Sequence, residues 1–302
     1  MKWRFVLFGL LFFCQLHSQT ILILGSAQDA GYPHIGCKKE CCKQAWKNQT
    51  HENVVSFALV DTIGKKWWMF EATPNITEQL NLFKELTDSV YPYLPAGIFI
   101  THAHIGHYTG LMYLGKEALN AKKVPIYCLP KMASFLKKNG PWSQLVKLEN
   151  IAITILKEND TFRLNERISV LPFRVPHRDE YSETAGFNIK VASKRILFIP
   201  DIDKWYKWNK NIVDEVENSD LALLDATFFS DGELSGRNMK EIPHPFVNET
   251  FALFDTVNSD VRNRIYFIHF NHTNPLLWDD KLKMYVLEKG YRIAYTKLKI
   301  YL

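Results

Sequence analysis

Five cysteines in 302 residues are too few for a disulfide-dense secreted scaffold. No apolar stretch approaches the roughly 20 residues that a membrane-spanning helix needs, so the chain does not read as an integral membrane protein. Low-complexity tracts, Gly/Ser linkers, short-period repeats and blocks of like charge are missing too. The 37 Lys and Arg against 32 Asp and Glu leave a formal charge of +5, and the basic residues are scattered instead of gathered on one helix or in one run. That distribution gives no footprint for nucleic acid. A hydrophobic content of 47% is enough for a substantial core. With no linker in view, one domain over residues 19–302 is the economical reading.

The first 18 residues stand apart. Lys2 and Arg4 precede an apolar run from Phe5 to Cys14, which is followed by the polar stretch Gln15 to Gln19. This is the layout of a secretory signal peptide over residues 1–18, and it predicts export to the periplasm or the medium. Loss of Lys2 and Arg4 lowers the charge from +5 to +3, and Cys14 leaves with them. The mature chain then keeps Cys37, Cys41, Cys42 and Cys128. Cys37, Cys41 and Cys42 are close enough for a disulfide from Cys37 to one of the other two, or for a metal clip with His34 as a further donor. Cys128, within the apolar Ile126 to Leu129, reads as core.

Short β-rich runs alternate with helical patterns along the rest of the chain. Ile21 to Leu24, Val54 to Val60, Trp67 to Glu71 and Gly97 to Thr101 read as strands in the first half. Ile168 to Val175, Thr184 to Val191, Arg195 to Ile199, Leu221 to Asp225, Arg264 to Phe270 and Tyr291 to Tyr295 repeat the scheme in the second, with Ala192 to Lys194 as a hairpin turn. Helical spacing appears in Ile76 to Leu86, Met132 to Leu136, Phe246 to Phe254 and Leu277 to Leu287. Two β-rich halves with interspersed helices predict an α+β fold, sheet packed on sheet with helices covering both outer faces, an αββα four-layer sandwich.

The sharpest feature is Thr101-His102-Ala103-His104-Ile105-Gly106-His107, directly after the apolar Gly97 to Ile100. Alternation along an extended segment points His102 and His104 the same way, and a turn at Ile105-Gly106 brings His107 round. Neutral imidazole is a preferred ligand for zinc and similar ions. Three other strand ends offer further donors: His177 after Val175-Pro176, Asp201 after Leu197 to Pro200, and His269 after Ile265 to Ile268. Any one alone is as well read as a cap or a core histidine. Their shared position after strands points instead to one metal site.

These residues resemble the metallo-β-lactamase superfamily, whose pattern is His-x-His-x-Asp-His, then His, Asp and His at successive strand ends. The resemblance spans nearly the whole mature chain. It implies that His102, His104 and His177 hold a first metal, that His107 and His269 hold a second, and that Asp201 bridges the two. Glu71 stands where the family has an Asp supporting the ligand loop. Gly106 is a departure, since it occupies the position of the family's Asp ligand to the second metal. Three longer segments, Leu24 to Pro33, Phe70 to Gln79 and Ile268 to Pro275, are most similar to the branch that contains the pyrroloquinoline-quinone biosynthesis protein B. That branch often carries a structural zinc clip where this chain has Cys37, Cys41 and Cys42.

The activity implied is hydrolysis of a small-molecule substrate, a phosphodiester or another ester-type bond. It would use one or two zinc ions that lower the pKa of a water to near neutrality. Asp201 orients that water, His244 donates a proton to the leaving group, and His272 lines the pocket. An iron-dependent redox enzyme fits the same donor set. So does a non-catalytic binder that uses the incomplete second site. Nothing in the sequence sets an oligomeric state.

Overall fold

The computed structural model describes residues 19–234, 236 and 238–302; the expected leader over residues 1–18 lies outside them. Fourteen strands are formed among the described residues: β1 (Gln19–Gly25), β2 (Ser56–Asp61), β3 (Lys66–Phe70), β4 (Ile98–Phe99), β5 (Val124–Cys128), β6 (Ile151–Ile155), β7 (Phe162–Arg163), β8 (Ile168–Val175), β9 (Thr184–Val191), β10 (Lys194–Ile199), β11 (Leu221–Asp225), β12 (Ile265–Ile268), β13 (Arg292–Ile293) and β14 (Lys299–Tyr301). They make two seven-stranded sheets, β14-β1-β2-β3-β4-β5-β6 and β13-β12-β11-β10-β9-β8-β7. Each sheet is part antiparallel and part parallel. In the first sheet the change falls at β3–β4, and in the second at β10–β11.

Alternation along the strands explains the layering. Ile21, Ile23, Phe57, Leu59, Trp68 and Phe70 face the second sheet, where Phe187, Ile189, Ile196 and Phe198 meet them. The intervening Leu22, Ala58, Val60, Trp67 and Met69 face outward and are covered by the helices Ile76–Leu86 and Pro130–Lys138. Leu197, Ile199, Ala222 and Leu224 do the same on the far side. These strands are therefore apolar on both faces, and helix, sheet, sheet and helix stack as the four expected layers.

The inner core is anchored by rings. Phe57, Phe70, Phe99 and Tyr127 are register neighbours across four adjacent strands and stack at 4.4, 4.6 and 4.6 Å. From the other sheet, Phe198 meets Phe57 edge-on at 4.9 Å and Phe187 meets Phe99 edge-on at 5.6 Å. Such pairs contribute about 0.5–1.5 kcal/mol each beyond the burial of area.

Several short elements went unread in the sequence: β6, β7, β14 and the helices Glu40–Asn48 and Trp142–Lys147. The first of those helices buries only Cys42 and Ala45, too few residues to set a visible period. The hairpin between β9 and β10 turns on two residues, Ala192 and Ser193, because Lys194 already pairs with Val191. Among the described residues no helix is long and apolar enough to cross a membrane.

Asp61, at the end of β2, ties the first sheet to the loop before β8. Its fully buried carboxylate accepts from the Ile63 and Gly64 amides at 3.2 and 3.0 Å, from Asn165 Nδ2 at 2.9 Å and from Arg167 Nη2 at 2.8 Å. Burial alone raises its pKa, but the Gly64 amide and the Arg167 guanidinium outweigh it and hold the carboxyl below its ordinary range. A depressed folded-state pKa gives stability that is present above the unfolded value of about 4 and lost as pH falls through the folded value. Asp61→Asn is therefore expected to lower stability at pH 7 by about 1.5–3 kcal/mol, and to flatten the acid limb of urea-denaturation midpoints measured between pH 7 and pH 3.

Candidate metal centre

His102, His104, His107, His177, Asp201 and His269 each follow the C-terminal end of a strand, whereas His244 lies in the long connection between β11 and β12. Register fixes why these ends coincide. In the first sheet β1, β3 and β4 run in one direction, and in the second β8, β10, β11 and β12 do so. Their C-terminal ends therefore lie along one edge of each sheet, and the two edges meet. The Ala185 amide donates to Thr101 O at 3.0 Å and the Ala103 amide donates to Ser182 Oγ at 2.9 Å, closing that edge across the sandwich.

At the junction lies Asp201 Oδ2. It is 3.2 Å from His102 Nε2, 3.2 Å from His177 Nε2, 3.8 Å from His107 Nε2 and 4.0 Å from His104 Nδ1. His177 Nε2 also faces His104 Nδ1 at 3.3 Å. Asp201, His102, His107 and His177 are buried, and His104 is nearly so. Burial opposes the charge on Asp201, yet His177 and His244 outweigh it and hold the carboxyl well below its usual range. The pKa values of His102 and His104 are lowered too, by burial first and by neighbouring imidazoles, whereas burial of His107 and His177 is outweighed by nearby carboxylates, Glu71 for His107 and Asp201 for His177, which raise them, His177 to about 9.

The outer nitrogen of each ring is also supplied. His102 Nδ1 lies 2.9 Å from Thr101 Oγ1, His107 Nδ1 3.5 Å from Glu71 Oε1, His177 Nδ1 3.5 Å from Asp203 Oδ1, and His269 Nδ1 2.9 Å from Thr227 Oγ1. His104 is turned round, with Nε2 on Glu180 Oε2 at 3.0 Å and Nδ1 inward. For His102, His104 and His269 the outer contact is a hydrogen bond, the kind of partner that orients a metal-ligating ring, and for His107 and His177 it is a nearby carboxylate. Buried and without a hydrogen-bond partner among the described residues are the inward His102 Nε2, His107 Nε2, His269 Nε2 and Asp29 Oδ1, along with the outer His107 Nδ1 and His177 Nδ1. Unpartnered buried donors and acceptors are costly, and a cation relieves those that present lone pairs. The residues present thus fit a divalent metal.

Three site residues adopt positive φ: Glu71 at 72°, His244 at 90° and His269 at 69°. All three are buried. For residues other than glycine this region costs about 1–3 kcal/mol, and such backbone collects at functional sites. His244 Nδ1 sits 2.9 Å from Asp225 Oδ2 and 3.1 Å from Asp201 Oδ1. Asp225 is itself pinned by the Ile202 and Thr227 amides at 3.0 and 2.9 Å.

The structure brings His102, His104, His107, His177, Asp201, His244 and His269 together, with Glu71 behind His107. Asp203, Thr227, Glu180 and Asp29 complete the surroundings and were not singled out in the sequence. Asp203 carried a signal, lying two residues beyond Asp201 on the same strand exit.

His272 is a correction. It does not join this pocket but stacks on His34 at 4.3 Å, and it forms with Cys37 and Cys42 a trio whose donor atoms lie within 4.8 Å of one another. Asn271 explains the departure: its side chain accepts from the Thr273 amide at 3.1 Å, and its carbonyl from the Asn274 amide at 2.8 Å, so the chain reverses just after His269. Cys37, Cys41, Cys42 and Cys128 are all free, so the disulfide alternative is not formed. Burial pushes the His272 imidazole down to about 4, leaving it neutral, and pushes the Cys42 thiol up to about 12. His34 stands outside that trio: its Nδ1 faces Ile35 O at 2.8 Å, and its amide donates to Cys42 Sγ at 3.4 Å.

With this geometry in hand, comparison with known proteins is decisive at the level of the family. A model described as the beta-lactamase superfamily domain matches residues 66–270. The chain belongs to the metallo-β-lactamase superfamily. Within that hydrolase superfamily, coenzyme PQQ synthesis protein B of Methylorubrum extorquens is 23% identical over 308 residues, covering 93% of this chain and 99% of that protein. The crystal structure of Zn(2+)-bound PqqB from Methylobacterium extorquens superposes with a TM-score of 0.77 at 21% identity, covering 94% of this chain and all of the other. A diphosphatase from the PhnP family gives a TM-score of 0.67 at 18% identity, with 93% and 96% covered.

Glu71 faces the ligand loop twice, through His107 and through the Thr101 amide at 3.3 Å. Glu71→Gln keeps the shape but removes the charge opposite His107. Metal affinity is expected to fall about 10–100-fold, as chelator competition on the purified variant would measure.

Proposed function

We propose that this protein is a hydrolase of phosphodiester or related ester bonds in a small-molecule substrate, working with divalent metal, zinc, at the His/Asp centre. The observation that carries this reading is the convergence of inward-facing imidazole nitrogens on Asp201 Oδ2. Zinc bound in the PqqB relative and the diphosphatase sharing the fold support the choice of metal and bond. When bound, a divalent cation supplies Lewis acidity and a water of lowered pKa. His102, His104 and His177, with Asp201, would hold it.

The chain's own residues supply the rest. Asp201, kept ionised among imidazoles, accepts a hydrogen bond from the attacking water and orients it. His244 lines a pocket that opens beside the centre together with Gln28, Arg178, Phe228, Ile242 and Asn271. Arg178, exposed at that pocket, suits an anionic group, while Phe228 and Ile242 suit an apolar one. Burial disfavours the imidazolium of His244, but Asp225 and Asp201 on either side outweigh it and raise the pKa to about 10. A cationic imidazole held rigidly at the pocket wall is placed to protonate a leaving oxygen.

The experiment is turnover of aryl and alkyl phosphodiesters by wild type, His104→Ala and His244→Ala, with metal content measured on each. His104→Ala is expected to lose both metal and turnover. His244→Ala should keep its metal and lose about 10²–10⁴-fold on alkyl leaving groups, with far less lost on p-nitrophenolate, which needs no acid. Full turnover in His104→Ala would overturn the reading, and iron instead of zinc in the metal analysis would redirect it to redox chemistry.

Export remains part of the proposal, on the strength of Lys2, Arg4 and the apolar run after them. Intact-mass measurement of protein recovered outside the cytoplasm is expected to give a chain beginning near Gln19, whereas a full-length chain in the cytoplasm would refute it.

A further inference from the structure

Gly106 lies in the four-residue helix Ile105–Tyr108, and its φ is not in the left-handed region, so backbone conformation does not demand glycine there. Space does. A Cβ built on Gly106 would fall 2.3 Å from Asp29 Oδ1 and 2.5 Å from Asp29 Cα. The volume that a side chain at position 106 would fill is occupied by Asp29, a residue 77 positions earlier in the chain.

We infer that Asp29 is a metal ligand, supplying from the β1 exit the carboxylate that position 106 lacks and completing a second metal position with His107 and His269. This rests on the reading of the His/Asp centre given above. Asp29, His107 and His269 each offer a donor atom within 4.8 Å of the others. Asp29 Oδ1 is 3.6 Å from His107 Nε2, too far for a hydrogen bond, and Asp29 Oδ1, His107 Nε2 and His269 Nε2 are all buried without such a partner. Two inward-facing nitrogens and a carboxylate oxygen, separated by more than hydrogen-bond length, are spaced for an ion between them and not for contact with one another.

The placement is set by the backbone. The Phe270 amide donates to Ser26 O at 2.8 Å and the Gln28 amide to Phe270 O at 2.8 Å, so the segment leading to Asp29 is stitched to the residue after His269. Asn271 Nδ2 donates to Gln28 Oε1 at 2.6 Å. Asp29 and His269 therefore approach as neighbours on paired segments, and His107 closes the trio from the helix carrying Gly106. Asp29 is about one-third exposed, which leaves one side of the position open toward solvent.

The test counts metal. Metal-stripped wild type, Asp29→Ala, Asp29→Asn and His104→Ala/His177→Ala are titrated with Zn²⁺ against a chromophoric chelator, side by side, so that metal held by cysteines cancels in the differences. Asp29→Ala is expected to bind one equivalent fewer than wild type. Asp29→Asn, which keeps the side chain's shape but not its charge, should lose it as well. An unchanged count and affinity in Asp29→Ala would overturn the inference while leaving the reading of the centre intact. A loss in Asp29→Ala with full binding in Asp29→Asn would make the effect one of packing and overturn ligation by the carboxylate. Wild type binding no more than His104→Ala/His177→Ala would instead sink the reading of the centre itself.

Discussion

A single carboxylate oxygen organises this molecule. Asp201 Oδ2 is buried at the meeting edge of two sheets and surrounded by His102, His177, His107 and His104. Removing an isolated carboxylate from water costs several kcal/mol even after relaxation, so such a group persists only where opposing charge or a cation is built around it. Here the compensation comes from both halves of the chain. The histidines of the first half arrive on the segment after β4, and His177 after β8, so neither half satisfies Asp201 without the other.

Strand direction, more than any single contact, makes that convergence possible. Each ligand segment is a short exit from a strand whose C-terminal end points to the common edge, and the strands themselves are apolar on both faces. The stacked Phe57, Phe70, Phe99 and Tyr127, gripped edge-on by Phe187 and Phe198, hold the sheets at a fixed separation beneath the site. On that rigid base the chain sustains positive φ at Glu71, His244 and His269. A flexible base would relax those residues and swing their side chains off target.

Much of this was legible beforehand, for identifiable reasons. The αββα layering follows from runs such as Ile21 to Leu24 and Leu221 to Asp225, whose uninterrupted apolarity reads as doubly buried strand. The histidine cluster is local in sequence, and Asp201, His177 and His269 share the grammar of a polar residue after an apolar strand. What escaped detection was non-local or weakly patterned. The helix Glu40–Asn48 buries too little to show a period. His272 is three residues from His269, yet the Asn271 turn carries it to Cys37 and Cys42. Asp29 has no local signal at all, because its partner in space is the absence of a side chain at position 106.

That last pairing bears on how the fold and the centre depend on each other. With glycine in a helical position the Ile105–Tyr108 segment loses about 0.5–1 kcal/mol relative to alanine. It gains close approach by the β1 exit, which is itself paired to the strand end carrying His269. The first strand, the ligand helix and the twelfth strand are thereby locked into one corner around His107. Because the donors at this corner come from three distant stretches of chain, an ion held there binds the folded sandwich and not the unfolded chain. Its binding free energy then adds directly to the stability of the junction between the sheets.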